Sequence, residues 1–266
     1  MSLALPARPF RFALYSDLHL ELMRGGLWQP PSLDVDAVIL AGDIGSHTHG
    51  LTWATETFAH WPGKPAVVYV AGNHEYYDAS LRVLDELRQP QWQEAGVHFL
   101  ENAILELPGV RILGCTLWSG FDLYGKDYAH VSMAQAQHSI NDYWIVQDRE
   151  GQRLTPRDTL RLHRESVQWL DHELSKPFNG KSIVVTHFAP HRRCVAPQYD
   201  GSDLSPYFVT NLAWLMEKHR IDVWAFGHTH TNVDFVAEGA CRVVSNQMGY
   251  RGEDVPDFLP ELVIEI

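Results

Sequence analysis

Asp36-Ala37-Val38-Ile39-Leu40-Ala41-Gly42-Asp43 is the stretch that decides the fold. Ala37 to Leu40 run without a polar break, and Ala41 and Gly42 then lead to a carboxylate. A short unbroken apolar run predicts a strand buried on both faces, as in a parallel sheet. Asp43 would then stand just past the strand's carboxyl end, where open α/β sheets gather their ligands. One Gly-Asp pair alone reads as an ordinary turn. Here the pattern recurs at four other places.

Upstream, the run from about Phe10 to Tyr15 leads into Asp17 and His19. Downstream, Ala66 to Val70 leads into Asn73 and His74, KSIVVT leads into His187, and DVWAFG leads into His228 and His230. Asp17 and Asp43 are 26 residues apart, and Asp43 and Asn73 are 30 apart. Each interval fits one βαβ unit. Gly42, Gly72 and Gly227 stand directly before the polar residues, and glycine lets the chain turn sharply and approach closely. In Asp17-x-His19 and His228-x-His230, an extended backbone would point both side chains to one side. Any one of these ends could be a plain turn; five of them, all of metal-ligating type, are a pattern. Nitrogen and oxygen donors without sulfur suit Mn, Fe, Zn or Co and disfavour Cu(I) or Fe–S sites. Seven such residues exceed one tetrahedral zinc and suit two adjacent ions.

Between the strands, helices are expected over 51–61, 80–95, 131–141 and 206–219. A longer one is expected from Pro156 to about Ser175, with Thr155 as N-cap and proline at the first helical position. VHFL, AILEL and VRILGCTLW read as short strands, and NVDFVAEG, CRVVSN and ELVIEI as alternating strands on the far side of a second sheet. The whole chain, 1–266, reads as one α/β domain. An aromatic-rich segment at about 118–155 interrupts the rhythm as an insertion or cap. Its aromatics either stack a nucleobase or pack a small subsidiary core.

Composition bounds the function. The 266 residues are 45% hydrophobic and 20% charged, ordinary for a protein with a real core. Acidic residues outnumber basic ones 33 to 21, for a net charge of −12, and no Lys/Arg run appears. Generic binding to a nucleic-acid polymer or an anionic membrane is therefore disfavoured. Three scattered cysteines, a Pro-rich start unlike a signal peptide, and no spanning run of roughly 18 apolar residues point to a reduced, cytoplasmic protein.

The motifs D-L-H (17–19), G-D (42–43), G-N-H-E (72–75), T-H (186–187) and G-H-T-H (227–230) resemble those of the calcineurin-like metallophosphoesterase superfamily. Their order and spacing match from about Phe10 to His230. The resemblance implies an α/β fold built as a two-layer β-sandwich with flanking helices and a dimetal site at the strand ends. It implies one metal held by Asp17, His19, Asp43 and His230, and another by Asp43, Asn73, His187 and His228, with Asp43 bridging. Two such metals, about 3.5–4 Å apart, share a hydroxide that attacks phosphorus in line. Two dications, two carboxylates and a hydroxide sum to about +1, enough to hold a phosphate despite the acidic surface. His74, not a ligand in the family, would donate to the leaving group or steady charge on phosphorus.

Departures narrow the branch. GDIGSHTHG lacks the D-R-G arginine of protein serine/threonine phosphatases, and Ile44 to His47 offer no tyrosine ligand of the purple acid phosphatase kind. The fourth motif has Thr186 where many relatives carry Gly or Ser. What remains looks like the bacterial phosphodiesterase-type branch, acting on small or nucleotide-like substrates. A phosphomonoesterase and an inactive metal-binding scaffold are the alternatives. His47, His191 and Trp118 are candidate substrate contacts, against solvated-loop readings for the two histidines. His49 and Arg192 stand near them, and Asn246 either lines the site or serves a turn. His60, His98, His130, His138, His163, His172 and His219 are expected at the surface.

Overall fold

A computed structural model describes residues 8–24 and 26–266. The N-terminal segment read above as unlike a signal peptide lies outside them up to residue 7. The strands are β1 Arg11–Tyr15, β2 Ala37–Ala41, β3 Ala66–Val70, β4 Val97–Phe99, β5 Ala103–Leu107, β6 Val110–Cys115, β7 Lys181–Thr186, β8 Val223–Phe226, β9 Asp234–Val236, β10 Arg242–Ser245 and β11 Val263–Glu265. The α-helices are α1 His49–Phe58, α2 Val83–Leu87, α3 Pro90–Glu94, α4 Ala129–Ser139, α5 Asp142–Ile145, α6 Pro156–Ser175, α7 Ser205–Phe208 and α8 Ala213–Lys218.

Two sheets form, in the orders β11-β1-β2-β3-β4 and β5-β6-β7-β8-β10-β9. β1 to β4 are mutually parallel, as are β6, β7, β8 and β10. Side chains alternate across each strand. Phe12, Leu14, Ile39, Val68, Ile183, Val185 and Ile264 join one buried cluster made almost wholly of strand residues, the layer between the sheets. Their neighbours Tyr15, Leu40, Tyr69, Val184 and Trp224 join a second cluster with the helices. Both faces of the central strands are thus buried, which is why DAVILAGD reads as a continuous apolar run rather than an alternating one. The fold is a mixed α/β arrangement of two sheets with flanking helices.

Several expected boundaries shift for identifiable reasons. The helix expected over 80–95 is two, because Pro90 cannot donate to a preceding turn and Gln89 before it is extended (φ −62°, ψ 137°). The helix expected over 206–219 also divides, at Val209, which is extended (φ −130°, ψ 131°). The strand in VRILGCTLW stops at Cys115, after which Leu117 and Trp118 take positive φ. ELVIEI does not join the second sheet. β11 returns to the first one and pairs antiparallel with β1. His163, expected at the surface, is buried and bonded through Nδ1 to the Leu117 carbonyl. The three cysteines are buried and unbonded to one another, and no helix among the described residues is long and apolar enough to cross a membrane.

α6 begins as its sequence predicts. Thr155 Oγ1 accepts from the Asp158 N–H, and the Asp158 carboxylate accepts from the Thr155 N–H at 3.0 Å, a reciprocal capping box. Thr155→Ala should therefore cost about 1 kcal/mol. A lower urea midpoint at unchanged slope would show it; an unchanged midpoint would mean that the cap contributes nothing.

Candidate metal centre

The parallel strands deliver their carboxyl ends to one edge of the sandwich. Backbone bonds continue past the strands: Asp17 N–H donates to Gly42 O (3.0 Å), His19 N–H to Asp43 O (3.0 Å) and Gly227 N–H to His187 O (3.0 Å). Asp17, His19, Asp43, His228 and His230 all take left-handed φ, from 46° to 76°. Non-glycine residues rarely adopt that region, and it clusters at functional sites. The glycines before the site are required by crowding. A Cβ on Gly72 would run into Asp43 Oδ1, and one on Gly227 would meet Asp17 Oδ2 at 2.7 Å.

The side chains converge in three overlapping groups, Asp17 with His19 and His230, Asp43 with His187 and His228, and, between these, His19 and Asp43 with His74. His19 Nε2 lies 3.2 Å from His230 Nε2, and His230 Nε2 lies 3.4 Å from Asp17 Oδ1. His187 Nε2 is 3.2 Å from His228 Nδ1, 3.1 Å from Asn73 Oδ1 and 3.4 Å from Asp43 Oδ2. The outer atoms fix which lone pairs face inward. His187 Nδ1 bonds the Ala41 carbonyl (2.9 Å) and His230 Nδ1 bonds Glu253 (2.6 Å), so both present Nε2 to the site. All of these groups are buried except His230, which is half-buried.

This donor set fits divalent cations. Burial alone would lower the pKa of His187 and His230, yet the Asp43 charge holds His187 up at about 10, and bonding to Asp17 holds His230 up at about 9. Burial and the neighbouring His187 charge push His228 well below its usual value, leaving a neutral imidazole. Asp17 and Asp43 both stay ionised, because the surrounding histidines outweigh burial. Two ionised carboxylates beside convergent imidazole nitrogens and an amide oxygen suit divalent metal ions.

His74 also reaches the donors, with a ring nitrogen within 4.8 Å of donor atoms of His19 and Asp43, but both of its nitrogens are already engaged. Its Nδ1 bonds Glu21 (2.9 Å), its Nε2 meets the Tyr250 hydroxyl (3.1 Å), and the Tyr77 ring stacks on it at 3.9 Å. Burial would lower its pKa, but the Asp43 charge and the Glu21 bond carry it above the ordinary value. Glu21 itself, although burial opposes it, is held down at about 2 by the nearby His19 ring and by its bond with His74.

Two further residues support the site from behind. Glu75 accepts from the backbone N–H of Gly72 (2.6 Å), Asp43 (3.1 Å) and Ile44 (3.0 Å), and from the Tyr69 hydroxyl (2.7 Å). Asp142, fully buried on α5, accepts from Asn73 Nδ2 (3.0 Å), the Tyr77 hydroxyl (3.0 Å) and the Tyr207 hydroxyl. With its amide nitrogen held there, Asn73 must aim Oδ1 at His187 and the donor group. Sequence reading missed Glu21, Asp142 and Tyr250. An acid two residues past His19 was the one available signal; Asp142 and Tyr250 lie far from every motif.

The three expected substrate contacts are corrected. His47 is bonded through Nε2 to the Tyr77 carbonyl (2.8 Å) and does not line the cleft. His191 is buried, with Nε2 on Glu238 (3.0 Å), Nδ1 accepting from the Arg193 N–H and its ring against Phe235. Trp118 is 2% exposed and packs between Tyr76 and Phe188, each at 5.6 Å. Phe121 and Tyr143 join the same core, so this part of the aromatic segment packs rather than stacks a base. Asn246 ties the chain's last turn to β1, bonding Leu14 O (2.7 Å) and Leu259 O (2.9 Å).

The model for the calcineurin-like phosphoesterase family matches residues 10–232. The chain belongs to that family, whose members are metal-dependent hydrolases of phosphate esters. An uncharacterized protein of Acanthamoeba polyphaga mimivirus is 27% identical, over 94% of this chain and 95% of its own length. Among solved structures, a phosphopantetheinyl hydrolase from Mycobacterium tuberculosis superposes with a TM-score of 0.68 at 18% identity, covering 92% of this chain and 91% of the other. A dimetal phosphatase from Danio rerio gives 0.52 at 14% identity, covering 95% and 90%. Both likenesses concern the fold.

Asp43→Ala should abolish metal binding at both donor groups, and Asp142→Ala should weaken it ~10–100-fold by freeing the Asn73 amide. Calorimetric titration with Mn²⁺ checks both, and wild-type affinity in either variant removes the role given to that residue.

Proposed function

We propose that the chain is a phosphodiesterase for small substrates. Asp17, His19, Asp43, Asn73, His187, His228 and His230 would hold two divalent ions, with Asp43 shared between them. When bound, such ions polarise the phosphoryl group and make water nucleophilic near neutral pH. The observation that carries the reading is the line Glu21–His74–Tyr250, which ends at a hydroxyl on the wall of a cleft of about 440 Å³ opening beside the donors.

Glu21 fixes the His74 ring through Nδ1 and favours its protonated form, so Nε2–H points to the Tyr250 hydroxyl on the cleft wall. Burial pushes the Tyr250 phenol up, so it keeps its proton and can donate to a phosphoryl or leaving oxygen. His74 then supplies the proton that the departing alkoxide needs. The diester preference follows from charge. A diester carries one negative charge on two non-bridging oxygens, whereas a monoester carries up to two charges on three. Outside the cation site, the cleft wall offers a phosphoryl oxygen neutral donors such as Tyr250, Asn141 and Ser202, with His74 behind Tyr250. No lysine or arginine lines it among the described residues. A third charged oxygen would find no lysine or arginine there, and the His74 imidazolium is already paired with Glu21.

With Mn²⁺ present, bis(p-nitrophenyl) phosphate should be turned over with higher kcat/KM than p-nitrophenyl phosphate; the reverse order would make the protein a phosphomonoesterase. His74→Ala should bind metal normally and lose ~10²–10⁴ in kcat. Wild-type turnover by that variant would remove His74 from the mechanism.

A further inference from the structure

The cleft beyond the donor set is built by two segments that supply none of the proposed ligands, residues 139–142 between α4 and α5 and residues 194–209 after β7. Ile140, Val195, Leu204 and Phe208 give it apolar surface, and Asn141 and Ser202 give it neutral polar groups. Apart from the proposed ligands, the carboxyl groups on its lining are Asp142 and Glu253. Arg193, adjacent to the lining residue Cys194, turns away. Its guanidinium lies 3.9 Å over the Phe235 ring and donates to the Val236 carbonyl. Arg242 is likewise engaged elsewhere, paired with Asp234 on the second sheet. The chain's net charge of −12 works in the same direction.

We infer that this cleft takes an uncharged arm of the substrate, one mixing apolar and hydrogen-bonding groups, and discriminates against arms ending in a second phosphate or a carboxylate. The inference rests on the phosphoester reading above and deepens it. A neutral arm gains by burying apolar surface on Ile140, Val195 and Phe208. An anionic end group would leave water for a wall that carries the carboxyl groups of Asp142 and Glu253 and, among the described residues, no lysine or arginine. The acidic wall would thus set specificity by exclusion, while the cation site supplies attraction for the single phosphoryl group.

Calorimetry on the Mn²⁺-loaded protein with three phosphodiesters, each with a singly charged phosphate, tests this: methyl pentyl phosphate, methyl 5-hydroxypentyl phosphate and the methyl phosphodiester of 5-hydroxypentanoate. They share the phosphate and chain length and differ at the far end. The two neutral ligands should bind alike, and the carboxylate should bind about ten-fold more weakly. Val195→Lys and Ile140→Lys, both at half-buried wall positions, should restore carboxylate binding by a similar factor without improving the neutral ligands. Equal binding of all three ligands by the wild type would overturn the inference, as would lysine variants that leave the ranking unchanged or failure of all three to bind. The readout does not depend on turnover. An intact ranking without hydrolysis of any ester would overturn the phosphodiesterase reading alone, and hydrolysis without the ranking would overturn this one alone.

Discussion

The Glu75 carboxylate is the contact on which the centre depends. It gathers backbone N–H groups from the ends of two neighbouring strands, Asp43 and Ile44 after β2 and Gly72 after β3, and adds the Tyr69 hydroxyl from within β3. Backbone donors around one anion form a rigid nest. Burial and the adjacent Asp43 charge push the Glu75 carboxyl up to about 7, against the pull of the Tyr69 hydroxyl and the Gly72 N–H. Asp43 is thereby held on both sides, its N–H on Glu75 and its Oδ1 on the His74 N–H at 2.8 Å. The carboxylate proposed to serve both ions has little freedom to move.

The same rigidity explains how five side chains can be kept on left-handed backbone, a conformation that costs on the order of 1–3 kcal/mol per residue. Local strain persists only when the surroundings over-determine it. Here Asp17 accepts twice from the His228 N–H, at 3.0 and 3.1 Å, tying the first strand end to the last. Gln247 accepts from the His230 N–H at 2.6 Å and braces the Thr229–Thr231 stretch from the other side. The sandwich beneath, apolar on both faces of each central strand, supplies the stability that this edge consumes.

How much of this was legible depended on distance along the chain. The donor set could be read because each residue sits immediately past its own apolar run, so strand pattern and site position come from one local signal. α6 could be read because Thr155 and Pro156 encode its start in two adjacent residues. Asp142 could not, because it meets Asn73 across 69 residues of sequence and nothing near it marks the encounter. Trp118 and His191 misled for the opposite reason. An aromatic or a histidine near a motif looks exposed to substrate, yet the positive φ at Trp118 turns that side chain into the core. The halved helices at Pro90 and Val209 show propensity overridden, in one case by proline and in the other by tertiary contacts.

β11 closes the first sheet against β1, although some 250 residues separate them in sequence. The earliest strand thus waits for the last before its outer edge is covered. Asp17 likewise waits for His228 and His230, the final members of the donor set. During synthesis from the ribosome, neither sheet nor site can be completed until nearly the whole chain has emerged. Until then the exposed flank of β1 offers unpaired backbone to any other extended segment. Ions held by the full donor set would add their stabilisation only once His228 and His230 had joined it.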